Sequence, residues 1–300
     1  MLSLNIRWVG EGRMMGGMHA STSGAVADEV LASIASPGRV LTVTVRRALD
    51  GRLAYAVQRH CQTLIAPSRL GIVLRDAAPL DAGLSLARQA AGEHRGTVAK
   101  PGGARRSVRY AYRQLRLDLL QPAQAGRRLA IVFRVFDDGL GFRYEFAGQA
   151  VGIAAELSEF VVAPPADAWW QPAAPLGACP PSVRKSRLAD VDLASLPLTV
   201  RTGDGIRIAF DEVAPAGHPA MCLRKIVGQK LRVQLAGAAC GEFAGHAGAF
   251  TTPWRTLHIV DGGARSYFPE IMRQLGDGDG GAPEELSASQ ATGADSTMPR

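Results

Sequence analysis

The chain has 300 residues, 47% of them hydrophobic, with a net charge of +7 and a pI of about 9.6. That length can bury a large core, as one extended domain or as two smaller ones. No run of about 18 apolar residues occurs, so no segment reads as a membrane-spanning helix. The basic balance does not by itself indicate nucleic acid. Arginine is spread along the chain, and its densest cluster, Arg105, Arg106, Arg109 and Arg113, falls in a strand-like run with polar alternation. Such a run reads as a solvated strand face, and no nucleic-acid-binding motif accompanies it.

Residues 1–28 are rich in Gly, Ser and Met without sustained periodicity, and read as a disordered leader. Ala25-Val26-Ala27 has the small-residue pattern of a signal-peptidase site, but no apolar core precedes it. Either the pattern is fortuitous, or a true start and its apolar core are missing. Order begins near Val30. Val40 to Val45 is a β-branched run, Asp50-Gly51 a hairpin turn, and Leu53, Tyr55 and Val57 alternate along a return strand. Short strands follow at Thr63–Ile65 and Gly71–Leu74. A short helix is expected over Ala82–Ala91.

Val108–Leu120 is a long alternating run closed by Gln121-Pro122. Leu129–Phe136 and Gly141–Phe146 flank the turn Asp137-Asp138-Gly139. Further strands are expected at Ala154–Val162, Leu198–Arg201, Ile206–Phe210, Leu231–Leu235 and Arg255–Ile259. Many short strands punctuated by Gly, Pro and Asp indicate an all-β fold, a large antiparallel sandwich. After Leu275 large apolar residues almost vanish, so 269–300 reads as a disordered tail and 29–268 as the sandwich.

The common catalytic motifs are missing: no Gly-x-Ser-x-Gly, phosphate loop, His-Glu-x-x-His or Gly-x-Gly-x-x-Gly. Cys61, Cys179, Cys222 and Cys240 form no Cys-x-x-Cys pair and read as isolated thiols. Asp137 and Asp138 suit a turn better than a metal pair. The adjacent Trp169 and Trp170 can stack on sugar rings or equally plug a sandwich edge. Glu212 follows Ile206, Ile208 and Phe210 at the inward spacing of a strand. A carboxylate on a buried face requires a partner, for which a hard cation such as calcium would serve; a strand that ended earlier would leave it solvated.

Several segments together resemble glycoside hydrolase family 97. They are Phe133-Arg134-Val135-Phe136-Asp137-Asp138-Gly139-Leu140-Gly141-Phe142-Arg143-Tyr144-Glu145, then Ala168-Trp169-Trp170, Pro197 to Thr202 with Asp204-Gly205, Glu212, Pro219-Ala220-Met221, and Phe250-Thr251-Thr252-Pro253-Trp254-Arg255-Thr256. The resemblance spans about residues 29–262. It implies an N-terminal β-super-sandwich of a bacterial, exported α-glucosidase or α-galactosidase. In that family a (β/α)8 barrel carries the catalytic carboxylates, and calcium sits at the active site. It also implies that Glu212 supplies one calcium ligand from the sandwich. No catalytic residue is then expected in this chain.

Only about 40 residues follow the resemblance, whereas a barrel needs at least about 200. Similarity also lapses at Gln171–Ser182, near Pro101-Gly102-Gly103 and after Ser266, a pattern that short frame shifts would give. The leading expectation is therefore a truncated or frame-shifted derivative of a calcium-dependent α-glycosidase, inactive alone and with weak or no calcium binding. One alternative is a stand-alone carbohydrate-binding module contacting an α-glucoside or α-galactoside through Trp169, Trp170 and Trp254. Another is a partner subunit that docks on a separate barrel. Neither nucleic acid nor a membrane span is expected. The family implies a periplasmic or secreted location, whereas the chain as written shows no recognisable signal peptide and reads as cytoplasmic or of undetermined location.

Overall fold

A computed structural model describes residues 28–99, 107–123, 126–146, 152–174, 179, 181–214, 219–236, 250–261 and 266–277. The expected leader before Asp28 and the expected tail beyond Asp277 lie outside the described residues, as do Arg105, Arg106 and Cys240.

The chain runs β1 (Glu29–Ala35), β2 (Leu41–Arg47), β3 (Leu53–Arg59), β4 (Gln62–Arg69), β5 (Ile72–Leu74), β6 (Ser85–Ala99), β7 (Ser107–Gln121), β8 (Arg127–Phe136), β9 (Gly139–Phe146), β10 (Ile153–Glu156), β11 (Glu159–Val162), β12 (Ala166–Pro172) and β13 (Arg184–Arg187). A 3-10 turn at Leu188–Asp190 follows, then β14 (Leu193–Thr202), β15 (Ile206–Val213), β16 (Met221–Val227), β17 (Lys230–Leu235), β18 (Phe250–Thr251), β19 (Trp254–Asp261) and a helix, α1 (Phe268–Asp277). The fold is all-β and antiparallel, as expected.

The pairings make two ladders. One runs β6-β7-β8-β9-β19-β15-β14-β12-β13. The other runs β1-β2-β3-β4-β11-β17-β16. β14 belongs to both, because Leu198–Arg201 pair with β15 and Leu193–Ser195 pair with β16. The change of partner falls at Leu196-Pro197, where Pro197 has no N–H to give to a ladder.

The layers meet through the inward face of each strand. Leu41, Val43 and Val45 alternate with half-buried residues on β2, and Leu53, Tyr55 and Val57 do so on β3. Tyr55 packs across the gap on Phe142 and Phe133, with ring centroids 5.3 and 6.1 Å apart, while Phe160 meets Phe210 at 5.1 Å. Burying side chains of this size contributes about 1.5–3 kcal/mol each. The Tyr55 hydroxyl donates to the Glu159 carbonyl at 3.0 Å, so its one polar atom is satisfied inside the core.

Two expectations need correction. Ala82–Ala91 is not helical: it enters β6, which pairs along its length with β7. Its two large apolar residues, Leu84 and Leu86, stand two apart at strand spacing and not three or four apart, so the ladder wins. The presumed tail also begins too early, because Phe268–Asp277 is helical. Phe268, Ile271 and Met272 are buried at helical spacing against Val132, Phe136 and Trp254 on the outer face of the first ladder. The main-chain N–H of Phe268 donates to the Ser266 hydroxyl, which itself donates to Asp138. Low overall hydrophobicity had hidden three well-spaced apolar residues with a ready-made surface to cover.

The Asp137-Asp138-Gly139 turn is as expected, with Asp137 accepting the Gly38 N–H at 2.8 Å. The neighbouring glycines permit close approach. A Cβ on Gly139 would lie 2.7 Å from the Leu257 carbonyl, and one on Gly141 would lie 2.6 Å from the Met272 methyl.

Candidate functional site: a buried carboxylate–guanidinium cluster

β15 and β19 pair directly, and Glu212 stands opposite Arg255. Both continue the inward face of their strands, Glu212 after Ile208 and Phe210, Arg255 before Leu257 and Ile259. Alternation therefore carries two charged groups to one end of an apolar core. The Arg255 side chain is 1% exposed and that of Glu212 is 14% exposed.

The geometry meets the cost of this burial. Arg255 Nη1 donates to Glu212 Oε2 at 2.6 Å, and Nη2 donates to Glu156 Oε2 at 2.6 Å. Glu156 ends β10 and is itself 1% exposed. Glu212 Oε1 accepts the main-chain N–H of Met221 at 2.8 Å. Burial works against the charge on Arg255, but attraction and hydrogen bonds from Glu156 and Glu212 outweigh it and hold the guanidinium above its ordinary pKa. Two carboxylates around one guanidinium leave a formal excess of one negative charge. Burial, and next the charge of Glu212, push up the thiol pKa of nearby Cys222, a free cysteine.

The partner that Glu212 requires is thus supplied within the chain by Arg255. Alternation along β15 reveals the need and not the partner. The signal was available: Arg255 has the same parity as Leu257 and Ile259, so it too is a charge on an inward face. Glu156 shares the parity of Phe160 and Val162 in the strand expected over Ala154–Val162, but that run splits into β10 and β11, and β10 pairs with β5.

The three tryptophans do not converge. Trp254 is 2% exposed and lies between the guanidinium groups of Arg134 and Arg143, at 4.6 and 4.5 Å from its ring centroid. It cannot stack on a sugar, because both arginines and α1 already cover it. Trp170 is 6% exposed and donates its indole N–H to the Ser186 hydroxyl at 3.1 Å, which makes it a sandwich plug. Trp169 points to the opposite face of β12 and is half-buried, with Lys185 at 5.2 Å and Arg201 at 5.4 Å from its ring. Of the proposed sugar contacts it alone keeps accessible surface.

Among the described residues, no three His, Cys, Asp or Glu side chains come together as a metal site. Glu212 could give one oxygen to a cation, but calcium takes about six to eight, so the residues present do not make a calcium site on their own. No described helix is long and apolar enough to cross a membrane.

Two antiparallel layers sharing strand β14, with a buried polar cluster at a strand end, define a large β-sandwich domain. The family model described as Glycosyl-hydrolase 97 N-terminal matches residues 34–264, and the chain belongs to that family. It is similar to a Glycoside Hydrolase Family 97 enzyme from Pseudoalteromonas sp. strain K8 solved in complex with panose, at 26% identity and a TM-score of 0.69. The same enzyme solved with acarbose gives the same values. The match covers 77% of this chain and 36% of that enzyme, so the chain spans little more than a third of its relative's length. A beta-arabinopyranosidase shares the fold at 19% identity and a TM-score of 0.67, over 77% of this chain and 40% of its own.

Proposed function

We propose that this chain is the non-catalytic sandwich part of a calcium-dependent α-glycosidase, and that Glu212 is its contribution to the calcium site. The observation that carries the reading is the state of Glu212. Its carboxylate is held at the end of β15 by the Met221 N–H and Arg255, yet its side chain keeps 14% of its surface open. Glu156 helps to neutralise Arg255, which leaves Glu212 with charge to offer a cation beyond the strand end. The remaining oxygens and the acid–base carboxylates would come from a barrel. When bound, calcium would supply positive charge next to the substrate. The sandwich residues would only fix one ligand and exclude water from behind it.

The test has two arms. The purified chain should give no turnover of an aryl α-glucoside or α-galactoside. Mixed with a separately produced family barrel, it should restore calcium-dependent turnover, and Glu212→Gln should reduce that by at least about tenfold in calcium sensitivity. Turnover by the chain alone, or full restoration by Glu212→Gln, contradicts the proposal. A stand-alone carbohydrate-binding role would instead rest on Trp169, and Trp169→Ala is its direct probe.

A further inference from the structure

β6 ends the first ladder and pairs with β7, in unbroken register from Arg88 opposite Asp118 to Ala99 opposite Ser107. In an antiparallel pair, the N–H and C=O of one residue point together toward the partner strand, and those of the next point together away from it. Ala99 identifies the set that points away. Its N–H donates to Gln274 Oε1 at 3.1 Å, and its C=O accepts from Gln274 Nε2 at 2.8 Å. Gln89, Ala91, Glu93, Arg95 and Thr97 share the parity of Ala99, so their main-chain groups also face away from β7. All five residues are exposed.

A side-chain amide carries the same donor and acceptor as a peptide group. Gln274, on α1, thus bonds Ala99 as a further strand would, and it closes this edge at Ala99 alone among the described residues. An open edge strand is a template for another chain unless proline, a covering element or charge blunts it. No proline interrupts Ser85–Ala99. Charge is present, as Glu93 and Arg95, and its placement is informative. The two are opposite in sign and stand one residue to either side of His94.

A two-fold axis through His94, normal to the sheet, sets Glu93 opposite Arg95 of a second copy and Arg95 opposite its Glu93. Cross-strand pairs of opposite charge stabilise a ladder and like pairs oppose it, so these residues favour this register; an axis through Glu93 or Arg95 would set like charges together. The same axis sets Ala91 opposite Thr97, and the ladder ends where Gln89 would meet an Ala99 already held by Gln274. Gly92 and Gly96 flank His94 on its own face. The imidazole stacks on Tyr112 of β7 at 4.8 Å and 14°, which draws it back from the edge and leaves the axis clear.

We propose that the β6 edge is a self-association surface, pairing antiparallel with β6 of a second copy about a two-fold axis at His94. This does not depend on the calcium reading. The shared ladder spans Ala91–Thr97, about 23 Å long with about eight main-chain hydrogen bonds. Such a contact is smaller than a standard interface, so a weak dimer is expected, with Kd on the order of 100 μM. Sedimentation velocity of the full chain tests it, from about 5 to about 500 μM, in reducing buffer so that Cys61 and Cys179 form no cross-link. The monomer should give way to a dimer across that range. Thr97→Pro removes an N–H that faces away from β7, so it spares the β6–β7 ladder and should leave a monomer throughout. Glu93→Arg and Arg95→Glu should each weaken the dimer at least about tenfold, and an equimolar mixture of the two should restore it, because opposite charges then face each other again. A monomer at every concentration, a dimer that survives Thr97→Pro, or a mixture no stronger than either charge variant alone overturns the proposal. Should Thr97→Pro be unfolded by circular dichroism, the charge-exchanged mixture decides.

Discussion

β8 and β9 are buried on both faces, but by different means. Their inner faces carry Phe133, Val135, Leu140 and Phe142, which pack on the opposite layer and ask nothing of their neighbours beyond shape. Their outer faces carry Arg134, Arg143 and Glu145. There Glu145 is 2% exposed and takes hydrogen bonds from Arg143 and Arg116, and both Arg134 and Arg143 lie over Trp254. Apolar burial is non-directional and tolerates substitution of similar volume. Burial of charge is directional, and each group depends on a particular partner. The Arg255 cluster brings the second kind of burial into the first kind of place, at the end of the apolar core.

The comparison breaks most sharply at Glu156. Glu156→Ala leaves Arg255 buried with only one carboxylate, and a loss of about 3–5 kcal/mol is expected in urea unfolding. A loss below that of an ordinary core substitution would mean that water reaches Arg255, and that the cluster is not sealed.

A smaller effect is expected at Tyr144, which is fully buried yet hydrogen-bonded. Its hydroxyl lies 2.8 Å from the Ser158 hydroxyl and accepts the Gly71 N–H at 3.0 Å. Burial pushes its pKa well up, so it stays a neutral phenol. Tyr144→Phe keeps the shape and orphans the Gly71 N–H, at a cost of about 1–3 kcal/mol. A neutral result would show that Tyr144 belongs with its apolar neighbours.

The smallest effect is a pH dependence on the outer face. Burial holds His258 below its ordinary pKa of 6.5, with partial opposition from Asp138. Below 6.5 the unfolded chain takes up this proton before the folded one does. Stability is therefore greater above that pH, and declines as the pH falls from 6.5 toward the folded-state value. Melting temperatures across this range should fall less in His258→Leu than in the unaltered chain. Parallel curves for the two would show that His258 is solvated.

The strands were legible in the sequence because alternation is a local property. Tyr55 and Phe210 could be assigned to inner faces from parity alone, and Asp50-Gly51 and Asp137-Asp138-Gly139 announced their turns. The run from Phe133 to Glu145 carried the family by its residues. Alternation also placed Glu212 on a buried face and required it to have a partner.

What the sequence could not contain was the choice of neighbours. That Arg255 lies opposite Glu212 depends on strand register, and that Glu156 completes the cluster depends on a contact 99 residues distant. The burial of Trp254 depends on two arginines from β8 and β9 and on a helix that composition had assigned to a tail. Local pattern fixes which way a side chain points, because the pleat repeats every two residues. What it points at is decided by long-range pairing, where the free energy of burying a charge depends on atoms far away in the chain.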